Sequence, residues 1–263
     1  MKCEVAIIIL TKDNPTLWER CISSVLKTNP IVKFKFYIAD TGSTEKNLND
    51  YTQILKTYLD KNNCRYIHLP FYNFAANHNL IIKKYVKEPW IMTCNDDIQF
   101  VTSCLDEMYR VGKSKKHVGT IGCRLMFPDG RIQHAGQIAY IDQHNLLQCT
   151  HRGYGLTNKY KSGPVVGNTA ALMLIKKKVY NKLSGFDEMY TECWEDIHLN
   201  MKLILEGYSN IYLDDVHATH YESATRTKDA DALYRLRYDY TYKLKPWFDS
   251  LDRSHQQLIL NAK

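Results

Sequence analysis

An α/β fold built on a mostly parallel sheet is the expectation for this chain of 263 residues, and three observations carry it. Apolar, strand-like runs alternate with helix-period segments through the first half. The first run, residues 5–10, is continuously apolar, as a strand covered on both faces requires. Acidic clusters stand directly after two of the expected strands, at Asp40 and at Asn95-Asp96-Asp97, where ligands gather in open parallel sheets.

The elements follow in order. After the strand at residues 5–10, Pro15 is placed to open a helix, and Leu17, Cys21, Val25 and Leu26 recur at helical spacing. Residues 34–39 read as a second strand ending at Asp40-Thr41-Gly42-Ser43. A helix is expected over 53–59, a third strand over 64–69, a helix over 74–86 stopped by Pro89, and a fourth strand over 90–94. The second half is less regular. Residues 118–123 read as a strand and Phe127-Pro128-Asp129-Gly130 as a turn. The polar, aromatic stretch 142–164 reads as a long loop, of the kind that serves as a lid ordering over a bound ligand. A strand follows at 170–175, a helix at 196–206 closed by Gly207, a short strand at 210–213 and a last helix at 229–243. No linker forces a division into two domains.

Composition excludes the extremes. With 44% hydrophobic and 24% charged residues, the chain is neither disordered nor fibrous. Thirty-five basic against 28 acidic residues leave +7. That is too modest and dispersed to indicate nucleic acid, and it suits a polyanionic small ligand. Eight cysteines without C-x-x-C spacing argue against structural zinc and read as reduced, buried thiols in a cytoplasmic protein. Residues 5–10 are too short for a signal or membrane segment.

Four clusters could carry chemistry. Adjacent carboxylates at Asp96 and Asp97 repel unless a cation offsets them, and Mg²⁺ or Mn²⁺ bridging carboxylate to diphosphate does so. The alternative is that Asn95 or Asp96 caps a helix near residue 101. Asp40 could accept hydrogen bonds from a ribose or base edge, or simply close an Asx turn. Glu195 and Asp196 could supply a general base, or favour the first turn of their helix. His217 and His220 stand near Arg226, whose guanidinium matches diphosphate oxygens. No phosphate-binding glycine loop or Rossmann fingerprint is present.

In this order the motifs resemble inverting family-2 glycosyltransferases of the GT-A fold, a Rossmann-like mixed sheet flanked by helices, and especially the bacterial-type enzymes that build cell-surface polysaccharide. The similarity spans residues 3–227. It rests on the first strand with Thr11, on Asp40-Thr41-Gly42-Ser43, on the segment from Tyr72 and Asn73 to Asn79, and on Asn95-Asp96-Asp97. It continues through the segment Phe127-Pro128-Asp129-Gly130-Arg131-Ile132-Gln133-His134-Ala135-Gly136, which is unusually close to one subgroup, then Gly185-Phe186-Asp187-Glu188, Glu195-Asp196 and the run from His220 to Arg226. The resemblance implies a single catalytic domain over 1–227 with a helical tail over 228–263. It implies that Thr11, Asp13, Asp40, Asn73, Asn79, Asp96 and Arg226 bind the nucleotide-diphosphate sugar. Asp97 and His220 would hold Mn²⁺ or Mg²⁺. Asp196, with Glu195 beside it, would deprotonate a hydroxyl of a glycan or lipid-linked acceptor. Asp13 stands where the family often has Asn, Asn95 replaces an acid, and His198 replaces a usual Asp.

Two other readings stand beside this one: a non-catalytic nucleotide-sugar-binding module, and a Mg²⁺-dependent nucleotidyltransferase, which should carry a phosphate loop that residues 10–20 lack. The basic, aromatic tail is compatible with peripheral membrane contact, although an ordinary helix with a solvated face is the favoured reading.

Overall fold

The computed structural model describes residues 3–60, 62–221 and 231–262. Its centre is a mixed ten-stranded sheet. Strand β1 (Val5–Thr11) is buried along its whole length, which its β-branched, two-sided apolar sequence dictates. Helix α1 (Pro15–Lys27) starts at the expected proline and buries Trp18, Cys21, Ile22 and Val25 against the sheet, a spacing of one helix face. Strands β2 (Phe34–Asp40), β3 (Cys64–His68) and β4 (Trp90–Cys94) run parallel to β1, in the order β4-β1-β2-β3. The register is regular enough to align Thr11 with Asp40 and Asp40 with His68. Helices α2 (Glu45–Tyr58) and α3 (Phe74–Lys84) cover this half. Helix α2 opens eight residues before the expected 53, because its first half, rich in Asn, Asp and Lys, hides the period.

Beyond β4 the sheet changes character. A short strand β5 (Ile98–Phe100) follows the acidic triplet, and the next helix, α4 (Cys104–Ser114), begins only after Ser103. Neither Asn95 nor Asp96 therefore caps a helix, and that alternative is set aside. The remaining strands of the large sheet are β6 (Val118–Met126), β7 (Ile132–His134), β10 (Gly163–Val165), β11 (Leu172–Lys176) and β12 (Ser209–His220), while β8 (Gln137–Ile141) and β9 (Leu147–His151) lie between them in sequence. Antiparallel β11 inserts between β4 and β6, and β12 lies parallel to β6. The expectation of a mostly parallel sheet thus holds for the first half and gives way to a mixed sheet in the second.

Three further expectations are corrected. The stretch 142–164 is not a structureless lid: it begins as the turn and second strand of the β8–β9 hairpin and ends in β10. The last strand is not confined to 210–213 but runs on to His220, through polar Asp214 and Asp215, with an irregularity between Leu213 and His217. The tail is several pieces: α7 (Ala232–Asp239), a π-helical turn at Tyr240–Leu244, α8 (Lys245–Ser250) and α9 (Arg253–Leu260). Pro246 lacks the amide hydrogen that a continuous ladder needs there. Leu244, Phe248 and Ile259 of the tail pack with Ile197 and Met201 of α6 (Glu195–Leu205) in one buried cluster.

Candidate active site

The carboxyl ends of the central strands open into a cavity of about 910 Å³. Thr11, Asp96, Asp97, Glu195, Asp196 and His220 all line it. These six expected residues come from four separate parts of the chain, and backbone pairing explains how they meet.

Thr11 ends β1, and its hydroxyl donates to Asp96 Oδ2 at 2.8 Å. Burial, and next the charge of Asp97, push Asp96 up to about 7. Two neighbouring carboxylates in this setting cannot both be charged without a counter-cation. His220 reaches Asp97 through strand pairing: β12 runs antiparallel to β5 with His220 opposite Ile98, the residue after Asp97. The Tyr221 amide then donates to the Asp97 carbonyl at 3.1 Å.

Asp97 Oδ1 and His220 Nε2 are 3.0 Å apart, but Asp97 Oδ1 is buried without a hydrogen-bond donor. On the far side of the ring, Nδ1 lies 2.6 Å from Gln133 Oε1. That oxygen only accepts, so Nδ1 carries the proton. In the neutral ring Nε2 then presents a lone pair to a carboxylate oxygen. Two facing acceptors at this distance need a positive charge between them or a proton on Nε2. A divalent cation, which takes carboxylate oxygen and imidazole nitrogen donors, would fit this pair. Among the described residues, no three His, Cys, Asp or Glu side chains converge on one point for a metal.

Asp196 lies in the first turn of α6, whose N-cap Trp194 adopts φ 85, a costly conformation for a bulky residue. Asp196 Oδ2 accepts from the Ala170 amide at 3.0 Å and Oδ1 from the Ile197 amide at 2.6 Å. The neighbouring Ala171 carbonyl accepts from the Asn95 amide at 2.8 Å. Two consecutive alanines thus brace the base candidate against the acidic triplet. Below them, Asn200 Nδ2 donates to the carbonyls of Asp196 and Asn168, and Asn210 Nδ2 to those of Val166 and Asn200. Strand β6 passes close to this network through Gly122, where an added Cβ would lie 2.4 Å from Asn168 Oδ1.

Four of the expected residues are held by contacts within the protein. Asp40 is 0% exposed, and its oxygens meet the Ser43 amide at 3.1 Å and His68 Nδ1 at 2.8 Å. The side chain exposed at that strand end is His68. Asp13 Oδ1 accepts from the Thr44 amide, the Thr44 hydroxyl and Asn47, which ties the β1–α1 loop to α2. These donors, Asn47 foremost, hold the Asp13 carboxyl below its ordinary range. Asn73 caps α3 by accepting from the Ala76 amide. Asn79 brackets the Gly185–Glu188 turn, accepting from Tyr180 and the Phe186 amide and donating to Phe186 and Glu188. Arg226 lies outside the described residues.

Sequence reading assigned no individual role to other residues that line the cavity: Gln133, His151, Tyr154, Trp194, Arg235 and Leu236. Helix α7 of the tail therefore contributes to the cavity. Arg235 Nη2 pairs with Glu192 Oε2 at 3.0 Å. The motif 127–136 was the available signal for Gln133, and the stretch 142–164 for His151 and Tyr154. Arg235 and Leu236 depend on where the tail folds, which no local pattern reveals.

The profile of the family described as "Glycosyl transferase family 2" matches residues 6–184. The chain is similar, at 27% identity over 259 residues, to the O-antigen biosynthesis protein RfbC of Myxococcus xanthus, covering 93% of this chain but only 19% of that protein. Among solved structures it resembles GalNAc-T7 with UDP, GalNAc and Mn²⁺, at TM-score 0.65 and 12% identity, over 99% of this chain and 55% of that one. It also resembles the mannosyltransferase PcManGT of Pyrobaculum calidifontis in complex with GDP-Man and Mn²⁺, at TM-score 0.61 and 13% identity, over 98% and 73%. At these identities the structural likenesses establish the GT-A fold.

Proposed function

The chain belongs to glycosyl transferase family 2, and from that premise we propose that it moves a sugar from a nucleotide-diphosphate donor to a hydroxyl of a glycan or lipid-linked acceptor, inverting the anomeric centre. The observation that supports this most is one cavity holding two different acidic devices: the Asp96–Asp97–His220 group and, braced through Ala170 and Ala171, Asp196.

In this reading Asp97 and His220 would hold Mn²⁺ or Mg²⁺. When bound, such a cation neutralises charge on the departing nucleotide diphosphate. Asp96, oriented by Thr11, faces the ribose or the sugar. Asp196 accepts the proton of the acceptor hydroxyl, whose oxygen attacks the anomeric carbon opposite the leaving group. The two amides on its carboxylate fix the direction of that proton transfer. Glu195 lines the cavity beside it. Arg226 would meet the diphosphate. Asp40, Asp13, Asn73 and Asn79 support donor binding by holding the loops that carry it.

UDP- or dTDP-sugars are the proposed donors, and the UDP and GDP-mannose named with the two structural relatives widen the set to be screened. A role in bacterial surface polysaccharide follows the name of the RfbC relative. A cytoplasmic location belongs to the same proposal. Among the described residues no helix is long and apolar enough to cross a membrane. The arrangement of one catalytic unit over 1–227 with a tail over 228–263 is proposed with one amendment: α7 helps to wall the cavity.

The test is nucleotide release on addition of nucleotide sugars with Mn²⁺, in wild type and Asp196→Asn. Release by wild type, with Asp196→Asn slowed about 10²–10⁴-fold but still binding nucleotide, supports the assignment. Equal turnover in both removes Asp196 as the base. Binding without turnover in wild type would favour the non-catalytic module.

A further inference from the structure

We infer that Gln133 is a positioning residue that fixes the tautomer of His220, keeping the proton on Nδ1 and aiming the Nε2 lone pair at the gap beside Asp97; this rests on the proposed metal role of that gap.

The backbone around Gln133 is built for a single side-chain placement. Strand β7 pairs with β6 so that His134 lies opposite Leu125 and Ile132 opposite Met126. Three β7 residues thus face two on β6, and Gln133 is the extra one. Such a bulge re-aims a side chain and is common beside active sites. The preceding turn is closed by Asp129, which accepts from the Arg131 amide at 3.0 Å. Ile132 and Ala135 are buried on either side, so the bulge is packed in place. The whole motif from Phe127 to Gly136 is then explained as the support that carries one amide to the back of His220.

The contact itself is closed to water. Gln133 is 2% and His220 6% exposed, and Nδ1 and Oε1 are 2.6 Å apart. A buried hydrogen bond this short holds both the ring rotation and the proton position. Strand pairing fixes only the His220 backbone. Without Gln133 the ring could rotate or place its proton on Nε2, where it would donate to Asp97 Oδ1 and block the lone pair. On the opposite edge the Asn95 amide nitrogen approaches Nε2 at 3.4 Å, a donor facing an acceptor. Partners of this kind behind a ligating imidazole set its tautomer and basicity.

Two readouts test this. In ¹⁵N-histidine-labelled protein, with the His220 signal identified by its loss in His220→Asn, Nδ1 should be protonated both without added metal and with Mg²⁺ and UDP. In Gln133→Met that preference should be lost. By electron paramagnetic counting of free Mn²⁺ in the presence of UDP, Gln133→Met should weaken binding about 10–100-fold, whereas Gln133→Glu, which still accepts from Nδ1, should stay within a few-fold of wild type. Circular dichroism confirms that each variant folds; if Gln133→Met does not, the wild-type tautomer and Gln133→Glu decide. An unprotonated Nδ1 in wild type, or wild-type Mn²⁺ affinity in folded Gln133→Met, overturns the inference. If wild type binds no Mn²⁺ at all, the metal part of the proposed function fails, and the Nδ1 measurement still decides the tautomer.

Discussion

Asp40 and Asp97 lie at the same edge of the sheet, yet their oxygens are used in opposite ways. Asp40 is sealed: one oxygen accepts from the Ser43 amide and the other meets His68 Nδ1. Asp97 keeps a buried oxygen without a donor and turns it toward His220 Nε2. Folding rewards the first arrangement and penalises the second. An acid at a strand end is therefore not by itself a ligand site. Of these two acids, Asp97 is the one that keeps an oxygen without a donor.

The sharpest way to break this contrast is Asp97→Asn. Transfer should fall by about 10²–10³-fold, while the melting temperature holds or rises, because repulsion from Asp96 is relieved and a donor now faces the gap. Wild-type turnover in this variant would remove the distinction. A second test concerns buried imidazoles of the frame. Burial holds both His78 and His198 down at about 4. The unfolded chain takes up these protons first, near 6.5. Stability is therefore complete above about pH 6.5 and falls as pH drops toward about 4, by roughly 3 kcal/mol for each group. Denaturant titrations across that range should show the loss, and His198→Phe should remove about half of it.

Asp40→Asn comes next. It should cost about 1–3 kcal/mol of folding stability, from a buried charged acceptor that loses a partner, with nucleotide affinity in the folded fraction changed far less. The reverse pattern in isothermal titration, intact stability with lost nucleotide binding, would restore Asp40 to direct contact. The smallest effect is expected at the tail. Tyr238 and Tyr242 meet at a tilt on an exposed face with centroids 4.8 Å apart, but Lys243 and Lys245 are engaged by Asp239 and Asp249. Replacing both tyrosines by alanine should change stability by no more than about 0.5 kcal/mol. Co-sedimentation with anionic vesicles should be negligible before and after; strong sedimentation of wild type that the variant loses would reverse this.

The two halves also differed in how readable they were. Strands β1 and β4 and the start of α1 follow from local pattern, since a strand buried on both faces is apolar throughout and Pro15 marks its helix. Strand β5 is only three residues long and exists through pairing with residues 218–220, which no local window shows. Strand β12 outran its apolar core because Arg124 binds Asp214 and makes its polar stretch tolerable inside the sheet. The β8–β9 hairpin carries Gln148, Thr150 and His151 and so resembled a loop. Asp96, Asp97, Asp196 and His220 were singled out from motif order, and they line one cavity, whereas Gln133 was visible only as part of a motif without a role. Its role depends on a bulge and on a partner eighty-seven residues away.

The β5–β12 pairing has a consequence in time. The groups flanking the gap, Asp97 and His220, sit far apart in sequence and meet only when β12 takes its place beside β6 and β5. The parallel half can form from nearer contacts, and so ahead of this long-range closure. A growing chain would pass through a stage with its sheet half built and its acidic triplet lacking its imidazole partner. The pairing that sets β12 into the sheet is thus the one that brings Asp97 and His220 side by side.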